Sequence, residues 1–324
     1  ILPTVSDSEL LVKVSFKVGV TAPPILQVGK QSVRGEATDS EGKFWQFHAK
    51  GLQAQTSYRL KLLQTASPQS KPMCDPWELK TFPAPSSAVS SMRLLLFTCT
   101  GGHEMHGFLP TATRHRLLQR ALSFQPDAAI ANGDHVYWDL RSPFTASSLG
   151  QSKSAKEFAG LPNRSMPIIG SENEVFLKKT AGPQIVPVYG TDFRSTPTFF
   201  IQDDHDYYEN DDAEDAIVTF PPDHFMTEMA RATQSLYYPE FLPDATRPAG
   251  LPGASAGGKA LPISESFGTL RYGNLLEVLM YSVRRSMTMA GPSAVFLEDT
   301  VENWLVDRMK QTSVRHVVNV PSNP

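Results

Sequence analysis

Over residues 1–88 the apolar positions fall in short runs with partial alternation. Residues 10–20 (Leu-Leu-Val-Lys-Val-Ser-Phe-Lys-Val-Gly-Val) read as a strand, and residues 43–50 and 58–64 repeat that texture between stretches of Gly, Ser and Thr. This pattern predicts an all-β unit. Residues 83–91 are small, polar and Pro-containing, as a linker is, which places a boundary near residue 88. Beyond it the period changes. An apolar run at 93–97 is followed by residues 113–123, where Leu117, Leu118, Ala121 and Leu122 fall at helical spacing, and then by the buried-strand run Ala128-Ala129-Ile130-Ala131. Strand, loop, helix and strand in that order make a βαβ unit. Further on, residues 174–179 and 223–234 read as helices, 182–197 as loop, 198–201 as strand and 247–258 as a Pro/Gly/Ala-rich surface excursion. Residues 266–272 and 275–281 form a strand pair around a Gly273-Asn274 turn. Residues 301–309 predict a helix with Trp304, Leu305 and Met309 inward, and residues 316–320 a last core strand.

Three of these strands end in residues with the chemistry of metal ligands. The first runs into Thr98 and Cys99, with Gly101-Gly102 behind them to let the backbone bend. The second runs into Asn132-Gly133-Asp134-His135-Val136-Tyr137-Trp138-Asp139, and the third into Gln202-Asp203-Asp204-His205-Asp206 and a further acidic stretch through Asn210-Asp211. The carboxyl ends of strands form the ligand crevice of open α/β sheets, so the three loops are expected to converge on one point. Each residue also has a plainer reading. Cys99 reads equally as a buried core thiol, Asp134 as the cap of an Asn-Gly turn, Tyr137 as a packing residue, and residues 203–215 as a solvated acidic loop. His103, Glu104, His106 and His135 lie near the expected mouth and read as supporting or surface groups.

Composition narrows the class. The chain of 324 residues carries a formal net charge of -3 and no long Lys/Arg run, so it lacks the footprint of a nucleic-acid binder. No apolar stretch reaches the roughly 20 residues needed to span a bilayer. The 2 cysteines, Cys74 and Cys99, are too few for a disulfide framework and read either as a bridge or as separate thiols.

On these residues the chain resembles the PhoD-type alkaline phosphatases of the calcineurin-like metallophosphoesterase superfamily. The likeness rests on the strand ending in Thr98-Cys99, on Gly133-Asp134-x-x-Tyr137, on Asp203-Asp204-His205-Asp206, and on the surroundings of Arg284-Arg285. Residues 52–58 also resemble the Leu-x-x-x-Thr-x-Tyr corner of fibronectin type III-like sandwiches, with Tyr58 as the corner tyrosine. The resemblance implies an α/β fold: a fibronectin/immunoglobulin-like β-sandwich over 1–88, then a four-layer αββα metallophosphoesterase domain over 89–324. It implies two or more metal ions, Fe3+ and Ca2+ in the first place and Zn2+ or Mn2+ otherwise. Cys99 and Tyr137 would ligate one ion, Asp134 would bridge, Asp204 and less firmly Asp203 would serve the second, and His205 would stand beside the scissile phosphate. Arg284 reads either as a phosphate contact or as one half of an ion pair. The implied substrate is a small phosphate monoester, with diesters also taken, and the implied location is secreted or periplasmic. A phosphodiesterase or phospholipase D-like enzyme on the same site is a second reading, and a non-catalytic calcium- or phosphate-binding surface protein a third. Two departures keep that third reading open. Ser282 stands where relatives carry Asp in a Tyr-Asp-Val-Arg-Arg run, and the closing Gly-Asp-x-His or Gly-His-x-His loop is absent, so the expectation is that the catalytic domain lacks its C-terminal part.

Overall fold

The structure, a computed structural model, describes residues 1–65, 70–102, 104, 108–138, 162–207, 221–242, 244, 267–288, 292–311 and 313–322. His103, His106, Asp139, the acidic continuation 208–215 and the excursion 247–258 lie outside the described residues.

Eight strands come first: β1 (Leu2–Val5), β2 (Leu10–Ser15), β3 (Ile25–Val28), β4 (Gln31–Arg34), β5 (Glu36–Ala37), β6 (Phe44–Ala49), β7 (Ser57–Leu63) and β8 (Trp77–Lys80). They pair antiparallel in two sheets, ordered β1-β2-β6-β5 and β4-β3-β7-β8. Val12 and Val14 of β2 and Trp45 and Phe47 of β6 share a core with Leu26, Val28, Leu60, Leu62 and Leu79 of the other sheet. The Tyr58 hydroxyl accepts from the Gln53 backbone N–H at 2.7 Å, the upstream bond by which a corner tyrosine fixes the start of its strand. Alternation is nevertheless lost in β2, where Leu10 through Val14 are all buried. Its second face is covered rather than solvated. There the Lys13 ammonium donates to the Ser235 carbonyl at 2.7 Å and lies 3.1 Å from the Glu240 carboxylate, so a cation costly to bury alone is paired.

The remaining elements are β9 (Leu94–Phe97), α1 (Thr111–Leu122), β10 (Ala128–Asn132), α2 (Glu172–Tyr189), β11 (Thr198–Ile201), α3 (His224–Tyr237), β12 (Phe267–Tyr272), β13 (Leu276–Tyr281), α4 (Asp299–Gln311) and β14 (His316–Pro321). One sheet is parallel, ordered β11-β10-β9; the other is ordered β12-β13-β14, with β14 parallel and β12 antiparallel to β13. The two-residue period of a strand sorts the side chains. Ala129 and Ala131 of β10 share a core with Leu118 of α1, Leu177 and Ile185 of α2 and Met229 of α3. Ala128 and Ile130 belong instead with Leu270, Val278 and Met280 of the second sheet. On the far side of β13, Leu279 and Tyr281 pack with Val301, Trp304 and Leu305 of α4. Helices, sheet, sheet and helix follow in succession, a mixed α/β fold whose central strands are buried on both faces and therefore read as unbroken apolar runs. No helix among the described residues is long and apolar enough to cross a membrane.

Three elements differ from the sequence expectation. Where 182–197 reads as loop, α2 continues through Gly182, Pro183 and Pro187 to Tyr189. Ile185, Val188 and Tyr189 are buried in the helix-side core, and this tertiary packing outweighs poor local propensity. Met309, expected inward, is 44% exposed; it lies in the last turn of α4 beside the edge strand β14. Among the described residues β14 lies at the edge of its sheet rather than in the core, and of its residues only Val320 is buried. Cys74 and Cys99 are both free thiols.

Candidate metal centre

The parallel register of β9, β10 and β11 brings Phe97 beside Ala131 and Asn132 beside Ile201, so their carboxyl ends share one edge. Beyond that edge the backbone turns at once. Cys99 has φ +56° and Asp134 φ +58°, a region that residues with a Cβ rarely occupy. Two candidate ligands thus sit in backbone conformations that persist only where the surroundings over-determine them. The surroundings here are other backbone segments. Gly101 N–H donates to the Asp134 carbonyl at 2.8 Å, and Cys99 N–H to that of Gly133 at 3.3 Å. A Cβ on Gly133, at φ +85°, would stand 2.3 Å from the Asp203 Cβ, so only glycine lets the second loop lie against the third.

The donor atoms gather around Asp134. Its Oδ2 accepts from Cys99 Sγ at 3.3 Å and from the Tyr137 hydroxyl at 3.1 Å. Its Oδ1 is buried without a hydrogen-bond partner. Ligand atoms of Asp134, Asp204 and His205 all lie within 4.8 Å of one another. The His205 ring lies 4.2 Å from that of Tyr137, tilted by 37°, and its Nε2 lies 3.8 Å from Asp204 Oδ2. Asp203 is placed differently, with its Oδ1 accepting from Arg284 Nε at 2.6 Å. The Arg284 guanidinium, 2% exposed, also reaches within 3.8 Å of Asp204 Oδ1. The ion pair read for Arg284 is thus present, which leaves a phosphate contact open; Arg285 is half-buried.

Electrostatics leave this cluster short of positive charge. Burial, with the Asp204 charge behind it, pushes the Asp203 carboxyl up against the opposing pull of Arg284. Burial likewise pushes up the Cys99 thiol and the Tyr137 phenol, Asp134 adding to both, so each keeps its proton and donates it to Asp134. A buried, partnerless carboxylate oxygen beside a thiol, a phenol, an imidazole and a second carboxylate is a donor set that fits metal ions. The other acidic group, Asp39, Glu41 and Glu174, is unlike it: Lys178 Nζ already lies 2.6, 2.9 and 2.6 Å from the three.

Residues outside the donor set hold the loops, and two of them, Arg114 and Gln184, carry no signal in the sequence. Arg114 of α1 donates through Nη1 to the Thr100 and Gly101 carbonyls at 2.6 and 2.7 Å, although its pattern reads as the polar face of a helix. Gln184, in the part of α2 that reads as loop, accepts at Oε1 from Gly102 N–H (2.7 Å) and Tyr137 N–H (2.9 Å). The Asp206 carboxylate is buried and takes backbone N–H bonds from both the second and third loops; burial pushes it up to about 7 against those bonds. Glu104, read as supporting, accepts from Thr111 N–H at the start of α1.

His135 is buried beside the loop and ties it to β11. Its Nε2 donates to the Ile201 carbonyl at 2.9 Å and burial lowers its pKa to about 4 from 6.5. The unfolded chain therefore binds this proton more readily. The stability that a neutral His135 contributes is complete above pH 6.5 and is lost as pH falls towards 4, about 3 kcal/mol at full extent. Between pH 7 and pH 4 the protein is expected to lose about that much more, in denaturant titrations, than a His135→Gln variant; equal losses would show that His135 titrates freely in the fold.

The purple acid phosphatase PPD1 from yellow lupin (Lupinus luteus) seeds superposes on 98% of the chain with a TM-score of 0.54 and 12% sequence identity. The chain spans 49% of that protein's length. At this identity the likeness is one of fold alone. The type III pullulan hydrolase from Thermococcus kodakarensis overlaps 61% of the chain and 39% of its own at 10% identity, with a TM-score of 0.18 that carries no argument. No protein-family model and no curated protein matches the sequence.

Proposed function

We propose that the chain is a metal-dependent phosphoesterase that hydrolyses phosphate monoesters, and diesters as well, in the manner of the PhoD-type alkaline phosphatases. The observation that carries this reading is the buried, partnerless Oδ1 of Asp134, set among Cys99, Tyr137, Asp204 and His205 at the carboxyl ends of parallel strands. The lupin phosphatase's fold supports it. Residues 1–88 would form a fibronectin/immunoglobulin-like accessory sandwich and residues 89–324 the catalytic domain. Secretion or export to the periplasm is what the resemblance implies.

Cys99, Tyr137 and Asp134 form the more anionic side once deprotonated and suit Fe3+, whereas Asp134 with Asp204 offers the oxygen-rich side that suits Ca2+. Bound cations supply Lewis-acid stabilisation of phosphoryl oxygens and an acidified water. The chain's own contribution is placement. Arg284 holds Asp203 of the third loop. Cys99 and Tyr137, whose protons point at Asp134, would have to lose them to hold an ion, so loading would release protons. His205, partly open to solvent and steadied by the Tyr137 ring, is placed to hand a proton from an imidazole nitrogen to the leaving-group oxygen.

Elemental analysis of the purified protein, paired with hydrolysis of a chromogenic phosphomonoester and a chromogenic bis-ester, tests the reading. Stoichiometric iron with calcium, and turnover that chelation abolishes, is the expected result. Turnover of the bis-ester alone would make the enzyme a diesterase. Absence of both stoichiometric metal and turnover would overturn the proposal.

A further inference from the structure

Asp206 touches none of the candidate ligands through their side chains, yet its carboxylate is the point at which two of the three loops are joined. It is 1% exposed. Oδ2 accepts from Asp134 N–H and from Asp203 N–H, each at 3.0 Å. Oδ1 accepts from His135 N–H and Val136 N–H, again each at 3.0 Å. Three successive amides of the β10 loop are thus gathered on one anion, and the fourth comes from the β11 loop. Such a run of N–H groups around a concavity is an anion nest, filled here by the protein's own side chain. The gathered segment begins at Asp134, whose φ of +58° is otherwise unfavourable. The fourth bond ties that segment to the stretch that carries Asp204 and His205.

We propose that Asp206 is the positioning residue of the metal centre: its carboxylate, by accepting from both loops at once, sets the separation between Asp134 and the Asp204–His205 pair. The inference rests on the phosphoesterase reading only in so far as those residues bind metal. A full carboxylate is needed, because only an acceptor at both oxygens can serve four donors; a carboxamide turns an N–H towards two of them. Asp206 does not contact the reacting atoms, so it acts through the ligands alone.

The test is titration of Mn2+ into the metal-free protein and into Asp206→Asn, with thermal unfolding of both metal-free forms and phosphomonoester kinetics at saturating Mn2+. The expected result is a fall of about 10- to 100-fold in Mn2+ affinity, the range typical for groups that orient ligands. Saturating Mn2+ should fill the variant but leave kcat low with KM little changed. A purely structural role would move the unfolding temperature while the folded variant kept wild-type affinity and kcat, and that outcome would overturn the inference. Absence of Mn2+ binding by the wild-type chain would overturn the phosphoesterase reading, and this inference with it; wild-type binding matched by the variant would overturn this inference alone. Should Asp206→Asn fail to fold, amide hydrogen exchange in the wild-type protein decides the matter. The amides of Asp134, His135, Val136 and Asp203 should exchange together, as slowly as those of β10, and independent fast exchange would overturn the proposal.

Discussion

Replacing Asp134 with asparagine is expected to remove metal binding and phosphoester hydrolysis together, while leaving the metal-free chain at least as stable as before. The first half follows from its place at the centre of the cluster. Asp134 accepts from both Cys99 and Tyr137 on one side and shares the donor group with Asp204 and His205 on the other. A carboxamide there has no charge to hold an ion, and the several kcal/mol that a metal supplies to the transferring phosphoryl group go with it. Turnover should fall about 10³-fold or more. The second half follows from burial. Oδ1 is a partnerless charged oxygen in the metal-free fold, a costly state that the neutral amide relieves. Asparagine also tolerates the left-handed backbone at φ +58° and can still accept from the Tyr137 hydroxyl through its carbonyl. Activity and stability should therefore move in opposite directions, as they do where a functional residue is held at a cost to the fold. Metal analysis, kcat/KM and urea midpoints of the two metal-free proteins check it. Activity retained after the metal is lost would end the mechanism. A marked loss of stability would show that Asp134 is a structural anchor instead.

What the sequence disclosed of this site was what local chemistry fixes. Ala128-Ala129-Ile130-Ala131 can only be buried on both faces, and Asn132-Gly133 must turn, so the position of Asp134 at a strand's mouth was legible from seven consecutive residues. The same holds for the Phe267–Tyr272 and Leu276–Tyr281 pair around Gly273, whose φ is +57°. The residues that assemble the three loops were not legible, because their partners are distant in the chain. Gln184 reaches back to Gly102 and Tyr137, and Arg114 acts on carbonyls that no spacing rule connects to it. Asp206 was legible as the last member of the Asp203-Asp204-His205-Asp206 motif, but the four amides that the fold gathers around it were not. The course of α2 through Gly182, Pro183 and Pro187 was hidden for a related reason: local propensity argues against a helix there, and only the core into which Ile185, Val188 and Tyr189 pack makes it one.

Gly133→Ala is expected to be among the most damaging single-methyl additions available to this chain. Two costs coincide at this position. At φ +85° an alanine backbone is disfavoured by about 1–2 kcal/mol, and its Cβ would lie 2.3 Å from the Asp203 Cβ and 3.4 Å from the Asp203 Cα. Relief requires one loop to retreat, and Asp203 is poorly placed to do so. Its carboxylate is bound to Arg284 and its N–H to Asp206. Overpacking of this kind adds about 1–3 kcal/mol, for a total of about 2–5 kcal/mol. That is a large share of the roughly 5–15 kcal/mol typical of a folded domain. Because the retreat separates the Asp134 loop from the Asp204–His205 segment, metal affinity should fall even in the fraction that folds. Gly51 provides the control. It too has positive φ, +68°, but nothing lies within 4 Å of where its Cβ would be, so Gly51→Ala should show the backbone cost alone. Denaturant titrations of the two variants should therefore differ by the steric part, with metal binding lost only in Gly133→Ala. If Gly133→Ala were no worse than Gly51→Ala and bound metal normally, the close approach of the second and third loops would not be what holds the centre together.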